Sequence, residues 1–484
     1  MVQLLLALGV CIGCIAYFTY LRFIFKRPQW LVYFILFAWP LLEYANLCLF
    51  TYGGINAHWR LFMIALFVIP AVSVLVMNLK VLWRSIPSFK YCLLFCAWLM
   101  GYFVFYNNHT VDNRQIMNSW TDSMDVAMVV AYVSLLLAMA SAATAVLKHP
   151  EPHKFFDGLN KALLVFSSGV ALISIIGYPL GFWTLEVEGF TRSTGLYSHP
   201  NPFAHHQGML LLYLLGLLGY YHAEKKGRIS MGLLYSAFFL NGVALALALS
   251  KTALAVFTVC VVLWLALNIT SPKVRKACIL FLPLVVVAIG LSLWGFQALT
   301  DKNFLDVLEA RVDQTQSLSW RELVWKGLLD NMSWMSMGLG HGFTSANEWV
   351  LQLTYNNRLN SKPLILVHNG YINLVYDLGV MGLLLFGSAI TFAGKGFLRV
   401  WQAHNEQERF VFSTIVVMAI YFLAVSYFDE MAYMFDAPMV FFALATILWC
   451  LYLPSSRDVC IPSLMPRSEY AVDHVTAEVL HESS

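Results

Sequence analysis

Residues 203–222 read FAHHQGMLLLYLLGLLGYYH and contain no Asp, Glu, Lys or Arg. A helix of about 20 mostly apolar residues is long enough to cross the hydrocarbon core of a bilayer. This stretch therefore predicts a transmembrane helix. Similar runs recur on both sides of it, at residues 1–24, 30–50, 61–79, 91–106, 125–146, 161–182, 230–249, 252–270, 277–296, 370–392, 410–428 and 437–453. The sequence thus predicts an all-α polytopic membrane protein of about 12–13 transmembrane helices.

The composition supports the same class. Of the 484 residues, 60% are hydrophobic and 12% are charged, and the mean hydropathy is +0.68. Soluble domains carry roughly twice that share of charge. The net charge of +3 is small and gives no indication of nucleic acid as a partner. The nine Cys lie almost entirely in apolar runs without a paired CxxC pattern, so we interpret them as packing residues.

Basic side chains cluster in alternate connections, at residues 22–27, 80–90, 148–161, 225–228, 273–276 and 395–409. By the positive-inside rule these connections face the cytoplasm. The remaining loops then face away from it, at residues 107–125, 183–202, 297–367 and 429–438. The least certain span is 252–270, because Ser250-Lys251-Thr252 is a short interruption between two apolar runs. A re-entrant element there would lower the helix count and change the side of the amino terminus.

Four regions follow from this pattern. Residues 1–296 hold the first transmembrane helices, and the first segment is expected to be a retained anchor because no basic residues precede it. Residues 297–367 form a long polar and aromatic loop that predicts a small helical cap. Within it, Arg321 and Trp325 share one helical face at i, i+4. Residues 368–453 return to the membrane, and the polar tail 454–484 is expected to be disordered in the cytoplasm.

Two polar stretches lie where the lipid ends on the predicted outer side, Arg192-Ser193-Thr194-Gly195 through Pro200-Asn201 and His368-Asn369-Gly370-Tyr371. Ionisable groups at such positions commonly serve a charged substrate. Two further elements lie between them in the chain: Ser250-Lys251-Thr252, and Arg321-x-x-x-Trp325 followed by Gly338-Leu339-Gly340-His341-Gly342-Phe343.

These four elements, in this order, resemble the signature segments of the bacterial O-antigen ligase and O-antigen polymerase family. The resemblance covers about residues 170–386. This chain has Lys251 where the family usually has Arg, and Asp377 where many members have Glu. Membership implies transfer of a glycan from an undecaprenyl pyrophosphate donor to a hydroxyl acceptor on the periplasmic side of the inner membrane. It implies no cofactor and no metal.

The side chains fit that chemistry. Arg192 and Arg321 are the first candidates to hold the pyrophosphate, because a guanidinium bonds phosphate oxygens bidentately and stays charged. Lys251 offers a third cation without the fork, and Arg311 is a substitute for Arg321. His368 is the candidate general base that deprotonates the acceptor hydroxyl, since histidine titrates near neutrality. Attack opposite the leaving group would invert the anomeric carbon. The further substrate-binding candidates are Gly195, Asn201, Asn369, Tyr371 and His341.

Each candidate has a structural alternative. An Arg just outside a span is often an interfacial anchor, and a His at a helix start is often a cap. The histidines His199, His205, His206 and His341 lack a carboxylate at ligand spacing, so we do not predict a metal site. The acidic residues Asp429, Glu430 and Asp436 form either a sugar-binding edge or a solvated loop.

Several functions stay open. An O-antigen ligase that moves polysaccharide onto lipid A core is the leading hypothesis, and a polymerase that joins repeat units on the same carrier uses the same chemistry. A protein O-glycosyltransferase is third. A transporter or flippase of the lipid-linked glycan would also need cations and many helices, but it typically shows internal repeats and charges near the bilayer midplane. A structural assembly factor would leave Arg192, Arg321 and His368 without a role.

Overall fold

The computed structural model describes residues 17–38, 67–105, 121–187, 190–197, 199–223, 229–272, 274, 316–342, 345–346, 349–350, 367–428 and 436–453. The predicted span 277–296, the candidate Arg311 and the tail 454–484 lie outside these residues. The chain divides into two units, Met1–Leu451 and the short Tyr452–Ser484, and only the first two residues of the second unit are described.

The described elements are almost all helical. After helical residues 17–26, the chain forms α1 (Gln29–Tyr33, continued as a π-helix to Ala38), α2 (Ile69–Ser85), α3 (Phe89–Phe105), α4 (Thr121–Leu147) and α5 (Pro152–Gly177). A hairpin of β1 (Thr184–Val187) and β2 (Phe190–Ser193) leads to α6 (Pro200–Ala223), α7 (Met231–Leu247) and α8 (Lys251–Asn268). Then come α9 (Gln316–Asp330), α10 (Trp334–Leu339), α11 (Gly370–Leu378), a 3-10 turn (Gly379–Leu383), α12 (Leu384–Gln402), α13 (Glu406–Phe428) and α14 (Asp436–Leu451).

Two helices form the centre of the bundle. Most side chains of α6 and α13 are buried on every face, which is expected of a helix that is apolar all round. The outer helices instead leave large apolar side chains exposed, such as Val165 on α5, Val259 on α8 and Ile390 on α12. Apolar side chains that face outward around a helical bundle are those that lipid covers.

Hydropathy agrees with this arrangement. Within the described residues, four helical segments are long and apolar enough to cross a membrane: Pro152–Gly177, Lys251–Asn268, Gly370–Gln402 and Glu406–Phe428. Shorter apolar helices accompany them. The predicted class, an all-α polytopic membrane protein, is therefore confirmed.

The uncertain span 252–270 is one continuous helix, α8. Ser271 follows it and donates through Oγ to Glu406 Oε1 at 2.6 Å, at the first turn of α13. The first turn of α8 follows the break at residues 248–250, where Leu249 has a φ of 49°. Helix α8 thus runs between the two ends of the bundle and does not turn back within it.

One end of the bundle gathers the basic connections. The ends of α2, α6, α8 and α14 meet the starts of α5 and α13 there. The joining contacts are Asp157 with Tyr221, Gly219 with Phe410, Thr270 with Arg409, Phe412 with Trp449, and Trp449 with Ser85. We call this the basic end, and we call the other end, where the predicted polar motifs lie, the site end. The alternation of basic loops along the sequence corresponds to this separation.

Two features of the fold were not predicted. The short β1–β2 hairpin pairs Leu185 with Arg192 just before α6. The predicted span 370–392 is interrupted by the 3-10 turn that begins at Gly379. Gly379 has a φ of 68°, and a Cβ there would overlap the backbone carbonyl of Gly338. The helix breaks where the last turn of α10, which contains Gly338, packs directly on this glycine.

Candidate functional site

Arg192 joins three elements at the site end. It is the third residue of β2, and its side chain is only 5% exposed. Its Nε donates to the carbonyl of Ala248 at 2.8 Å, and its Nη2 donates to Oδ1 of Asn201 at 2.7 Å. The hairpin is thereby tied to the break between α7 and α8 and to the first turn of α6. Sequence analysis proposed a substrate contact for Arg192, and the structure adds this anchoring role.

The loop between Arg192 and Asn201 is held tightly. Ser193 Oγ lies 2.5 Å from Ser174 Oγ on α5, and the amide of Thr194 donates to Trp183 O at 2.7 Å. Gly195 has a φ of 53°, and a Cβ there would overlap the ring of Phe203. Glycine is required here both for the left-handed backbone and for the close packing.

Lys251 is the first residue of α8, after Ser250 at the N-cap position. Its side chain is half-buried. The Ala248 carbonyl that accepts the Arg192 bond lies three residues earlier in the same break. The Lys251 ammonium is therefore carried on the segment that Arg192 holds, which places two cationic candidates at one point of the bundle.

The packing of α6 on α13 relates this point to the second motif. Glycines on α6 allow side chains of α13 to lie against its backbone, in an antiparallel register. The facing pairs are Gly208 with Tyr421, Gly216 with Thr414 and Gly219 with Phe410. Continued for two more turns, this register sets Asn201 level with Phe428, the last residue of α13.

Arg321 reaches that same level from helix α9, in the segment predicted to form the cap. Its Nη1 donates to the carbonyl of Phe428 at 3.1 Å. One turn later on α9, Trp325 donates through Nε1 to Val367 O at 2.9 Å and packs edge-on against Tyr427. Arg321 and Trp325 thus lie on one face of α9, as their spacing predicts. This face meets the end of α13.

His368 follows the carbonyl to which Trp325 donates. Its backbone has a φ of 55°, which is uncommon for a residue other than glycine and costs of order 1–3 kcal/mol. Such strain is found preferentially at functional sites. Trp325 bonds the carbonyl of Val367, the residue before His368, and Arg321 lies one turn earlier on the same helix. His368 therefore lies beside the face of α9 that carries Arg321.

Asn369 and Tyr371 hold His368 in place. Asn369 is the N-cap of α11, and its Oδ1 accepts from the amides of Tyr371 and Ile372 at 3.0 and 3.1 Å. The hydroxyl of Tyr371 donates to Leu423 O on α13 at 2.9 Å, and its ring stacks on Phe386. Both residues were predicted to bind substrate; in the structure Asn369 also caps α11, and Tyr371 also packs on Phe386.

His341 lies in the glycine-rich turn of the cap. Its ring stacks on Tyr376 with centroids 4.2 Å apart, and its amide donates to Tyr376 O at 2.8 Å. Burial lowers the pKa of His341 below its usual value, while the backbone contact with Tyr376 opposes that shift. The neutral imidazole is therefore favoured. A Cβ at Gly340 would overlap the Asp377 carbonyl, so the turn requires glycine.

Some contributors could not be found by sequence reasoning. Tyr102 donates through Oη to Asp377 O at 3.2 Å, and Trp98 donates through Nε1 to Leu378 O at 3.4 Å. Both belong to α3, about 280 residues away in sequence. They hold the end of α11 against α3, yet in the sequence they are indistinguishable from ordinary interfacial aromatic residues. Ala248 contributes only a carbonyl, which no side-chain pattern reveals.

Other predicted groups have a simpler outcome. Asp429 and Glu430 lie outside the described residues, as does Arg311. Among the described residues, no group of three or more His, Cys, Asp or Glu side chains could hold a metal ion.

Residues 236–387 match the family model described as O-Antigen ligase. The match begins within α7 and ends within α12, so it contains Lys251, Arg321, His341 and His368 but not Arg192. None of the curated proteins matches the chain. The predicted resemblance to the O-antigen ligase family is confirmed, and with it a membrane function of the O-antigen ligase or polymerase type.

Proposed function

We propose that this protein, which carries an O-antigen ligase domain at residues 236–387, transfers a glycan from a polyprenyl pyrophosphate to a hydroxyl acceptor. The observation that carries the proposal is the convergence at the site end. Arg192, from the β2 strand, and Arg321, from the cap, act at the same level of the adjacent helices α6 and α13. His368 follows the carbonyl bonded by Trp325.

The charges of this region suit a departing pyrophosphate. As the bond to the sugar breaks, negative charge develops on the leaving phosphate. Guanidinium groups stabilise that charge best when they are fixed beforehand, because no reorganisation is then needed during the reaction. The buried Arg192 and the cap-mounted Arg321 are fixed in this way, and Lys251 adds a cation on the segment bound by Arg192.

His368 supplies the base in this proposal. The acceptor hydroxyl must lose its proton as it attacks the anomeric carbon, and an imidazole can accept that proton near neutral pH. The His368 backbone is strained and lies directly before Asn369, the N-cap of α11, so its position in the chain is fixed by local structure. Attack from the face opposite the pyrophosphate inverts the anomeric configuration.

The location follows from the charge pattern. The positive-inside rule assigns the basic end to the cytoplasm. The site end then faces away from the cytoplasm, and the family resemblance implies that this side is the periplasm of a Gram-negative bacterium, where lipid-linked glycan and lipid A core are both presented. We propose a ligase that attaches polysaccharide to lipid A core.

A reconstituted transfer assay tests this function. Purified protein in liposomes receives an undecaprenyl-pyrophosphate-linked glycan and lipid A core, with and without chelator, and products are separated by gel and mass. Glycan joined to the core, undiminished by chelator, is the expected result. Lengthening of the donor glycan would identify a polymerase instead. No covalent product, with protein-free liposomes as the blank, would contradict the transferase proposal.

A further inference from the structure

An open cavity of about 430 Å³ lies at the basic end, the end of the bundle opposite Arg192, Arg321 and His368. It is bounded on one side by the turn between helical residues 17–26 and α1, where Arg27, Trp30 and Tyr33 contribute. The start of α5 and the residues before it form the other side, with His149 and Lys154.

The balance of charge in this cavity is positive. Arg27 and Lys154 are exposed cations on opposite walls. Lys154 Nζ pairs with the carboxylate of Glu151 at 2.7 Å, so Glu151 offsets one of them. An anion that entered the cavity would meet Arg27, which forms no ion pair with a carboxylate among the described residues, and Lys154, which it could share with Glu151.

A third hydrogen-bond donor is oriented by local structure. His149 Nδ1 accepts from the amide of Glu151 at 3.1 Å, so the hydrogen of the neutral ring is on Nε2. The ring stacks on Phe155 with centroids 5.4 Å apart. The bond to Glu151 and the stacking on Phe155 therefore orient His149 as a donor on the same side of the cavity as Lys154.

The aromatic side of the cavity indicates where it lies relative to the bilayer. Trp30 packs on Tyr33 with centroids 5.6 Å apart and is 47% exposed. Trp and Tyr at helix ends sit at the level of lipid head groups, where one part of the ring is wet and the other apolar. Cationic donors on both walls, with the apolar rings of Trp30 and Tyr33 beside Arg27, match a phosphate diester that carries glycerol carbons.

We propose that this cavity binds the phosphate group of an anionic phospholipid, such as phosphatidylglycerol, through Arg27, Lys154 and His149. Its volume is within the range of small-ligand sites. The site is separate from glycan transfer and does not depend on the function proposed above.

Lipid binding to the purified full-length protein tests the proposal. The retention of phosphatidylglycerol and of zwitterionic phosphatidylcholine is measured by native mass spectrometry during a lipid titration. The wild type should retain phosphatidylglycerol in preference. The double variant Arg27→Gln/Lys154→Gln should weaken that retention about fivefold for each charge removed. Equal retention by wild type and double variant would overturn the site.

Two further variants control for misfolding and for non-specific charge. Glu151→Gln removes the competing carboxylate, so it should strengthen retention about fivefold, a gain that damaged folding cannot produce. Lys80→Gln/Arg84→Gln removes two cations of α2 from the basic end and should leave retention unchanged. An equal loss in that control would overturn the assignment to this cavity.

A soluble phosphate ester distinguishes the source of the phosphate. Glycerol 3-phosphate is added to the lipid-loaded protein. Because it lacks the acyl chains that hold a lipid beside the cavity, it should displace phosphatidylglycerol only at concentrations far above those of the lipid. Complete displacement at concentrations equal to the lipid would overturn the lipid assignment.

Discussion

The bond between Arg192 and Asn201 gives the most specific test of how the site is built. Asn201→Ala removes the acceptor of the Nη2 hydrogen bond and leaves a buried charged donor without it. A hydrogen bond to a charged group contributes about 1.5–3 kcal/mol. We expect Asn201→Ala to lower the free energy of unfolding by that amount.

A double-mutant cycle isolates the bond. Arg192→Lys keeps the charge but cannot donate to both Ala248 O and Asn201 Oδ1, so it should lose the same interaction. The double variant should therefore be about 1.5–3 kcal/mol more stable than the sum of the single losses predicts. Unfolding is followed by circular dichroism in mixed micelles as the fraction of dodecyl sulfate rises.

The control is the cycle of Arg192→Lys with Thr258→Ala. Thr258 donates to Leu254 O within its own helix α8, so these two changes should be additive. Additive losses for Arg192 and Asn201, within about 0.5 kcal/mol, would refute the reasoning.

Four further outcomes are expected. Asn201→Asp should keep the fold, because a carboxylate still accepts from Arg192, but it should raise the donor KM in the transfer assay because its charge opposes the pyrophosphate. Gly195→Ala should lower the free energy of unfolding in detergent by more than about 1 kcal/mol, because Gly195 has a positive φ and an added Cβ would overlap the ring of Phe203. Asn369→Ala should lower it by about 0.5–2 kcal/mol through loss of the helix cap. The pKa of His341 is lowered in the folded state, so below pH about 6.5 the unfolded chain binds more protons than the folded chain. The free energy of unfolding should therefore decrease as the pH is lowered below about 6.5, and it should decrease less steeply in His341→Gln.

Hydropathy predicted most of the fold because each span must satisfy its backbone internally and cover its surface with apolar groups. The class and the boundaries of α5, α6 and α8 follow within a few residues, except that α5 begins earlier than predicted. The face shared by Arg321 and Trp325 also followed from local periodicity. These features depend on residues close together in sequence.

The rest depends on contacts between distant parts of the chain. Arg192 and Ala248 are 56 residues apart, and the carbonyl of Ala248 has no sequence signature. The break at Gly379 coincides with the close approach of Gly338, 41 residues earlier in the chain, and the positive φ of His368 has no signature in the local sequence. Sequence reasoning identified Arg192, His368 and Asn369 as candidates, but it could not assign Asn369 as a helix cap or Arg192 as an anchor.

The central claim is that His368 moves a proton while the arginines hold the donor. Steady-state transfer in the reconstituted system, measured for His368→Ala, Arg192→Ala and Arg321→Ala, tests it most directly. His404→Ala, an exposed histidine at the basic end, is the matched control and should behave as wild type. We expect His368→Ala to abolish kcat with donor binding largely intact, and each arginine variant to weaken donor binding as well. Transfer at the wild-type rate by His368→Ala, or an equal loss of folding in all three variants, would contradict the account.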